Sequence, residues 1–178
     1  MPENDDPAVA SVSSKALRGH SSQFFVAGEL CRRGLVAVVT LGGCPNTDVL
    51  CSNTEGTLFV HIQVKTCTPH SRTCSVGLKA ERDYGDRFFW VVVELPGRGD
   101  TGQNRYFVVP SKAMATQTVD EHQKWLKTPG VGGKKHNETS IRTVLMPAMR
   151  KAESPSDATT TWLSQYEGRW ELIEGALE

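Results

Sequence analysis

Nine consecutive residues, Arg87-Phe-Phe-Trp-Val-Val-Val-Glu-Leu95, constrain what this chain can fold into more than any other stretch. They are β-branched or aromatic almost throughout, and from Phe88 through Val93 both parities are apolar. A strand with no polar face belongs in the centre of a sheet covered on both sides. The rest of the chain has to supply its neighbours and its cover.

Neighbours are easily found. Leu35-Val-Ala-Val-Val-Thr-Leu41, entered through Gly34 and left through Gly42, carries the signature of a buried strand. Asp48-Val-Leu-Cys-Ser52 is shorter and ends in the turn Asn53-Thr-Glu-Gly56; Thr57 to Thr66 then leads back, which makes a hairpin. Arg105-Tyr-Phe-Val-Val109 is a further strand, stopped by Pro110. The cover is helical. From Ser14 to Gly34 the apolar positions Leu17, Phe24, Phe25, Ala27, Leu30 and Cys31 recur at helical spacing, with Gly34 as the C-cap. Ser111 is an N-cap for a second helix through Lys127, offering Ala113, Met114, Val119, His122 and Trp125 for packing. Residues Cys67 to Asp86 are a polar loop, Pro129 to His136 a flexible basic one, and Ile141 to Met146 a short apolar run; Thr159 to Leu177 carries the apolar surface of a final helix. This order predicts an α/β fold: a central mixed sheet of about five strands flanked by helices.

At 178 residues the chain fits one domain, large enough to bury roughly two-thirds of the surface of its unfolded form. Residues 1–13, rich in Asp, Pro and Ser, read as disordered; 14–178 form the single domain, of which 152–178 are an acidic docking segment. No apolar run approaches the roughly 20 residues of a membrane span, and the start lacks the order of a signal peptide, so a soluble, cytoplasmic protein without a membrane partner is expected. The five cysteines, Cys31, Cys44, Cys51, Cys67 and Cys74, contain no CxxC pair and are expected as free thiols. Cys67 and Cys74 could bridge a loop, which a reducing compartment disfavours. The zero net charge excludes a strongly basic nucleic-acid-coating protein but hides a segregation. Lys112 to Lys151 holds eight Lys or Arg against three acids, and residues 152–178 hold one Arg against six acids.

Chemistry concentrates on the hairpin. Pro45-Asn-Thr-Asp48 sets an acid at the start of one strand, and His61-Ile-Gln63-Val-Lys65 alternates polar and apolar on the next. Side chains on a strand alternate, so His61, Gln63 and Lys65 share a face while Ile62 and Val64 turn into a core. An Asp opening the second strand and a polar-x-Lys on the third resemble the PD-(D/E)XK nuclease superfamily, of restriction-endonuclease-like fold, over about Phe24 to Trp125. Pro45-x-x-Asp48 stands for the PD element and Gln63-Val-Lys65 for (D/E)XK. Glu29, in Ala27-Gly-Glu-Leu30, matches the helix-one glutamate that many members add. Gln63 is the departure, since the pattern has an acid there.

The resemblance implies a metal-dependent DNA endonuclease. Asp48, Gln63 and Glu29 would hold Mg²⁺ or Mn²⁺ through oxygen donors, and Lys65 would orient the water or steady developing charge. Gln63 brings only a neutral carbonyl, so the ion would be held less tightly. Arg72, Lys79 and Arg82 in the polar loop, and Lys134, Lys135 and Arg142 further on, are phosphate-contact candidates by type. The rival is a catalytically silent domain of the same fold that binds nucleic acid or a protein. A third role is structural, with the aromatic tail from Trp162 to Trp170 holding a homodimer.

Overall fold

The computed structural model describes residues 7–42, 44–69, 71–97, 102–147 and 161–178. Helix α1 spans Pro7–Arg32 and is followed by strands β1 (Val36–Val39), β2 (Val49–Ser52), β3 (Phe59–Cys67), β4 (Thr73–Ser75), β5 (Phe88–Glu94) and β6 (Arg105–Pro110). Helix α2 (Ser111–Lys127), strand β7 (Thr143–Leu145) and the single-turn helix α3 (Glu171–Glu174) complete the regular elements. Five strands form one mixed sheet in the order β1-β2-β3-β5-β6, with β3 and β5 parallel and the other pairs antiparallel. The predicted α/β architecture is what forms: a five-stranded mixed sheet between helical layers. All seven residues of β5 are buried, and it has a neighbour on each side, as its two apolar faces require.

Two apolar clusters flank the sheet. Val26, Ala27 and Leu30 of α1 meet Val49, Val60, Ile62, Val64 and the odd-numbered valines of β5, with Trp170, Ile173 and Leu177 of the tail closing that side. Opposite, Met114 of α2 meets Trp90, Val92, Phe107 and Val109, joined by Val144 of β7 and Leu163. Helix α1 ends as its composition dictates. Gly34 takes φ 85°, Leu35 N–H donates to Leu30 O at 3.2 Å and Gly34 N–H to Cys31 O at 3.0 Å, the paired bonds of a Schellman motif. Among the described residues no helix is long and apolar enough to cross a membrane.

Several expectations are corrected. α1 begins at Pro7, inside the stretch read as disordered; a proline loses no hydrogen bond in a first turn, and residues 1–6 lie outside the described ones. β1 is an edge strand rather than a buried one, with Val36 49% and Val38 54% exposed. Leu17, Phe24 and Phe25 are exposed as well, because the row of α1 that meets the sheet is Ser22, Val26 and Leu30. On α2 the buried residues are Ser111, Met114, Ala115, Thr118 and His122, leaving Val119 and Trp125 substantially exposed. Ser111 is the first residue of that helix and makes no cap; its hydroxyl accepts from Tyr84 N–H at 2.7 Å. Cys67 and Cys74 are joined by a disulfide, so two of the five thiols are not free. The loop between β3 and β5 is partly ordered, containing β4, paired with β7, and a 3₁₀ turn at Leu78–Glu81. The tail is a 3₁₀ turn at Trp162–Tyr166, then α3, then another 3₁₀ turn, broken at Gly168 with φ 68°. Leu163 and Trp170 are buried against the chain's own core and cannot serve as a dimer surface.

Candidate active site

The hairpin of β2 and β3 does what alternation demands. Val49 pairs with Ile62 over the α1 cluster, so Asp48 and Gln63, one residue off in each strand, project to the other face. There one carboxylate oxygen of Asp48, Oδ2, accepts from Gln63 Nε2 and from the Val64 backbone N–H, the latter at 2.7 Å. The Asp48 backbone is fixed as well: its N–H donates to Ile62 O at 2.8 Å, and its carbonyl accepts from Thr40 N–H at 3.0 Å. The turn that delivers it contains Asn46 at φ 66°, the one non-glycine residue with positive φ among the described residues. Asn46 Oδ1 is buried without a hydrogen-bond partner. Strain of this kind persists only where the surroundings over-determine it, and here it lies two residues before the candidate acid.

Lys65 lies two residues along β3 on the same face. Its Nζ stands 5.7 Å from the centroid of the Trp90 ring, within reach of a cation–π contact. Parallel pairing sets Gln63 beside Trp90 and Lys65 beside Val92, so Trp90 floors the site. Burial pushes the Lys65 ammonium below the ordinary lysine range; the Asp48 charge opposes that shift and the Lys79 charge adds to it. Asp48 and Lys65 are therefore close enough to feel each other. Toward the start of β3 the sheet is bare among the described residues: Phe59 is 43% exposed, His61 is exposed with Nδ1 3.0 Å from Thr47 Oγ1, and Val36 and Val38 continue that surface. The group sits where the cover of the sheet by β4 and the 3₁₀ turn ends, with a sheet face that is open among the described residues in front of it.

The other candidates scatter. Glu29 lies on α1, across the sheet from Asp48. Both its oxygens accept from Arg32, one also accepts from Arg33 at 2.9 Å, and the Arg32 bond chiefly holds the carboxylate below the usual range. The expected convergence of Glu29 with Asp48 and Gln63 is thus not formed. Helical periodicity finds the helix but not which layer it joins. Arg142 is 5% exposed and donates to Glu81, to Glu138 at 2.8 Å and to the carbonyls of Thr139 and Ile141, leaving it no role at a phosphate. Lys79 in the 3₁₀ turn beside the site and Arg82 at its C-cap are exposed, with the Arg82 guanidinium 5.1 Å from the Tyr84 ring centroid. Arg72 is exposed in the disulfide-closed loop, and Lys134 and Lys135 are exposed after α2. Neither Trp90 nor Asn46 stands out in the sequence. The apolar run hides the first, and only the backbone dihedral reveals the second.

Neither Asp48 Oδ1 nor Gln63 Oε1 accepts a hydrogen bond from the described residues, so these two oxygens are what the site offers a ligand. Among the described residues no three His, Cys, Asp or Glu side chains gather to hold a metal ion. No family model matches the chain. No curated protein matches it either. Among solved structures, the chain is similar to a bacterial homing endonuclease, I-Ssp6803I, with a TM-score of 0.52 and 15% identity over 93% of this chain and 97% of that one. At that identity the likeness shows the fold.

Proposed function

We propose that this chain is a DNA endonuclease that hydrolyses phosphodiester bonds at Asp48, Gln63 and Lys65 with the help of Mg²⁺ or Mn²⁺. The observation that carries the reading is the gathering of these three side chains on one face of the β2–β3 hairpin, at the margin of the covered part of the sheet, in a fold shared with a homing endonuclease. A carboxylate and an amide carbonyl are hard oxygen donors, and Mg²⁺ is commonly held by one or two carboxylates completed by water and substrate phosphate. Asp48 and Gln63 would hold the ion, which supplies polarisation of the phosphoryl group and a more acidic water.

The chain's own residues have separate tasks. The Val64 N–H and Gln63 Nε2 fix the Asp48 carboxylate by its Oδ2, leaving Oδ1 toward the ligand side. Lys65, half-buried above Trp90, presents a charged donor to a phosphate oxygen or to the attacking water. Lys79 and Arg82 contact the flanking phosphates and set position rather than sequence. Incubation of the protein with supercoiled and linear duplex DNA in Mg²⁺ or Mn²⁺ should give cleavage that Asp48→Ala and Lys65→Ala abolish. Cleavage that survives both substitutions sinks the reading.

The rival is a silent member of the same fold, and one observation favours it: among the described residues no second carboxylate joins Asp48 to make a metal cluster, and Glu29 is held on the other side of the sheet. Calorimetric titration separates the two. Saturable Mn²⁺ binding lost in Asp48→Ala supports the enzyme, and none in the wild type supports the silent domain.

A further inference from the structure

A concave site lies away from the hairpin, between the last turns of α2 and the ribbon formed by β4 and β7. It is a cleft of about 660 Å³, within the size range of small-ligand pockets. Its walls include Trp125, Ile141 and Leu145, respectively 41%, 63% and 45% exposed, beside Lys124, Thr143 and the carboxyl of Glu121. Large apolar side chains left open around one carboxyl group call for a ligand with a flat apolar body and a hydrogen-bond donor. Trp162 Nε1 donates to Glu121 Oε1 at 3.0 Å, so the carboxyl is held in place while retaining acceptor positions. Burial holds the Glu121 carboxyl above the usual range.

The basic loop after α2 is tied to this cleft and is not the flexible segment its glycines predict. His136 stacks on Trp125 with centroids 4.0 Å apart and 20° between planes, and His122 stacks behind Trp125 at 5.6 Å. Gly130 N–H donates to Lys134 O at 2.8 Å, closing the loop, and a side chain at Gly130 would put its Cβ 3.0 Å from the His136 ring. Lys134 and Lys135 are thus exposed cations on a closed loop anchored to the cleft wall, with Lys124 in the wall itself.

We propose that the cleft and this loop form an accessory site for an unpaired nucleotide of DNA, the base entering between Ile141, Leu145 and the edge of Trp125, and the flanking phosphates resting on Lys134 and Lys135. Single-stranded sites combine cations along the backbone with apolar or aromatic seats for bases. A paired base cannot enter the cleft, and Glu121 as an acceptor favours bases with an exocyclic amine, adenine, guanine and cytosine, over thymine. The inference rests on DNA being the partner of the hairpin site but uses none of its residues.

Fluorescence anisotropy of labelled short oligodeoxycytidine and oligothymidine with the full chain, in EDTA so that cleavage cannot intervene, tests it. Expected are tighter binding of oligodeoxycytidine, a loss of about fivefold or more in Lys134→Ala/Lys135→Ala, and a salt slope lower by about 1.4, at roughly 0.7 for each phosphate no longer neutralised. Glu121→Gln keeps the cleft's shape and should erase the base preference while leaving oligothymidine binding in place. No single-strand binding by the wild type, equal binding of both oligomers, or an unchanged double-lysine variant overturns the inference. Asp48-dependent cleavage of duplex DNA is scored on the same variants: cleavage retained while these binding differences are absent removes this site alone, and binding differences without Asp48-dependent cleavage remove the hairpin reading alone.

Discussion

The two faces of β3 are built from alternate residues of one strand and meet opposite fates. Val60, Ile62 and Val64 face α1 and are buried within a closed apolar cluster. His61, Gln63 and Lys65 face the other way, where β4, tied on by the Cys67–Cys74 disulfide, covers the end of the strand while His61 near its beginning is exposed, and the polar group collects at that border. The first face is optimised for exclusion of water, which is how apolar burial stabilises a fold. The second keeps an amide buried and an ammonium half-buried, and burial depresses the ammonium pKa, a configuration that costs stability where it does not serve chemistry. A single strand thus separates stability from function by parity.

Substitutions on the two sides should break apart in what they change. Ile62→Ala, on the closed face, is expected to lose about 2–5 kcal/mol in chemical denaturation, while any residual folded protein keeps the geometry of Asp48 and Gln63. Lys65→Met should lower cleavage by about 10²–10³-fold, the scale for loss of one charge-stabilising donor, with no loss of stability. Because burial lowers the Lys65 pKa in the folded state, the charged form is penalised at all pH values below that pKa, and the penalty fades as pH rises toward the unfolded value. Lys65→Met should therefore raise the melting temperature at neutral pH and have no effect in strong alkali; a fall at neutral pH refutes the account. For the same reason cleavage that needs the ammonium should decline on an alkaline limb beginning below about 10.4, the pKa of a free lysine, and Lys65→Arg should move that limb upward. Gln63→Glu puts a second carboxylate against Asp48. Mn²⁺ affinity should rise about tenfold by calorimetry, roughly 1.4 kcal/mol. In EDTA the same variant should melt earlier, because two like charges then face each other unpaired.

How much of this was legible follows the reach of each pattern. Period-two alternation is local, so the shared face of Gln63 and Lys65 and the burial of Ile62 could be read directly, and β5 announced its interior position by having two apolar faces. Gly34 similarly marked the end of α1. What failed depended on distant partners. β1 has the composition of a buried strand, but nothing in its own residues says that no strand among the described residues pairs on its far side. Glu29 sits where the resemblance implies, yet the side of the sheet on which α1 lies is a tertiary fact. Arg142 looked like any surface cation until Glu81, 61 residues earlier, closed on it. β4 and β7, three residues each, are too short to carry a period and become strands only by meeting each other.

The strand order also governs how the molecule is assembled in time. β1, β2 and β3 join as consecutive antiparallel neighbours, so Asp48 and Gln63, only 15 residues apart, can meet early and at small cost in loop entropy. β3 and β5 are parallel, and the chain must lay down the whole of residues 68–87 before that seam closes. Non-local parallel pairing is the slow kind, so the seam that brings Trp90 under Lys65 is expected to form late in folding. A nascent chain would then own the acid and the amide of its site before it owns the floor beneath the lysine.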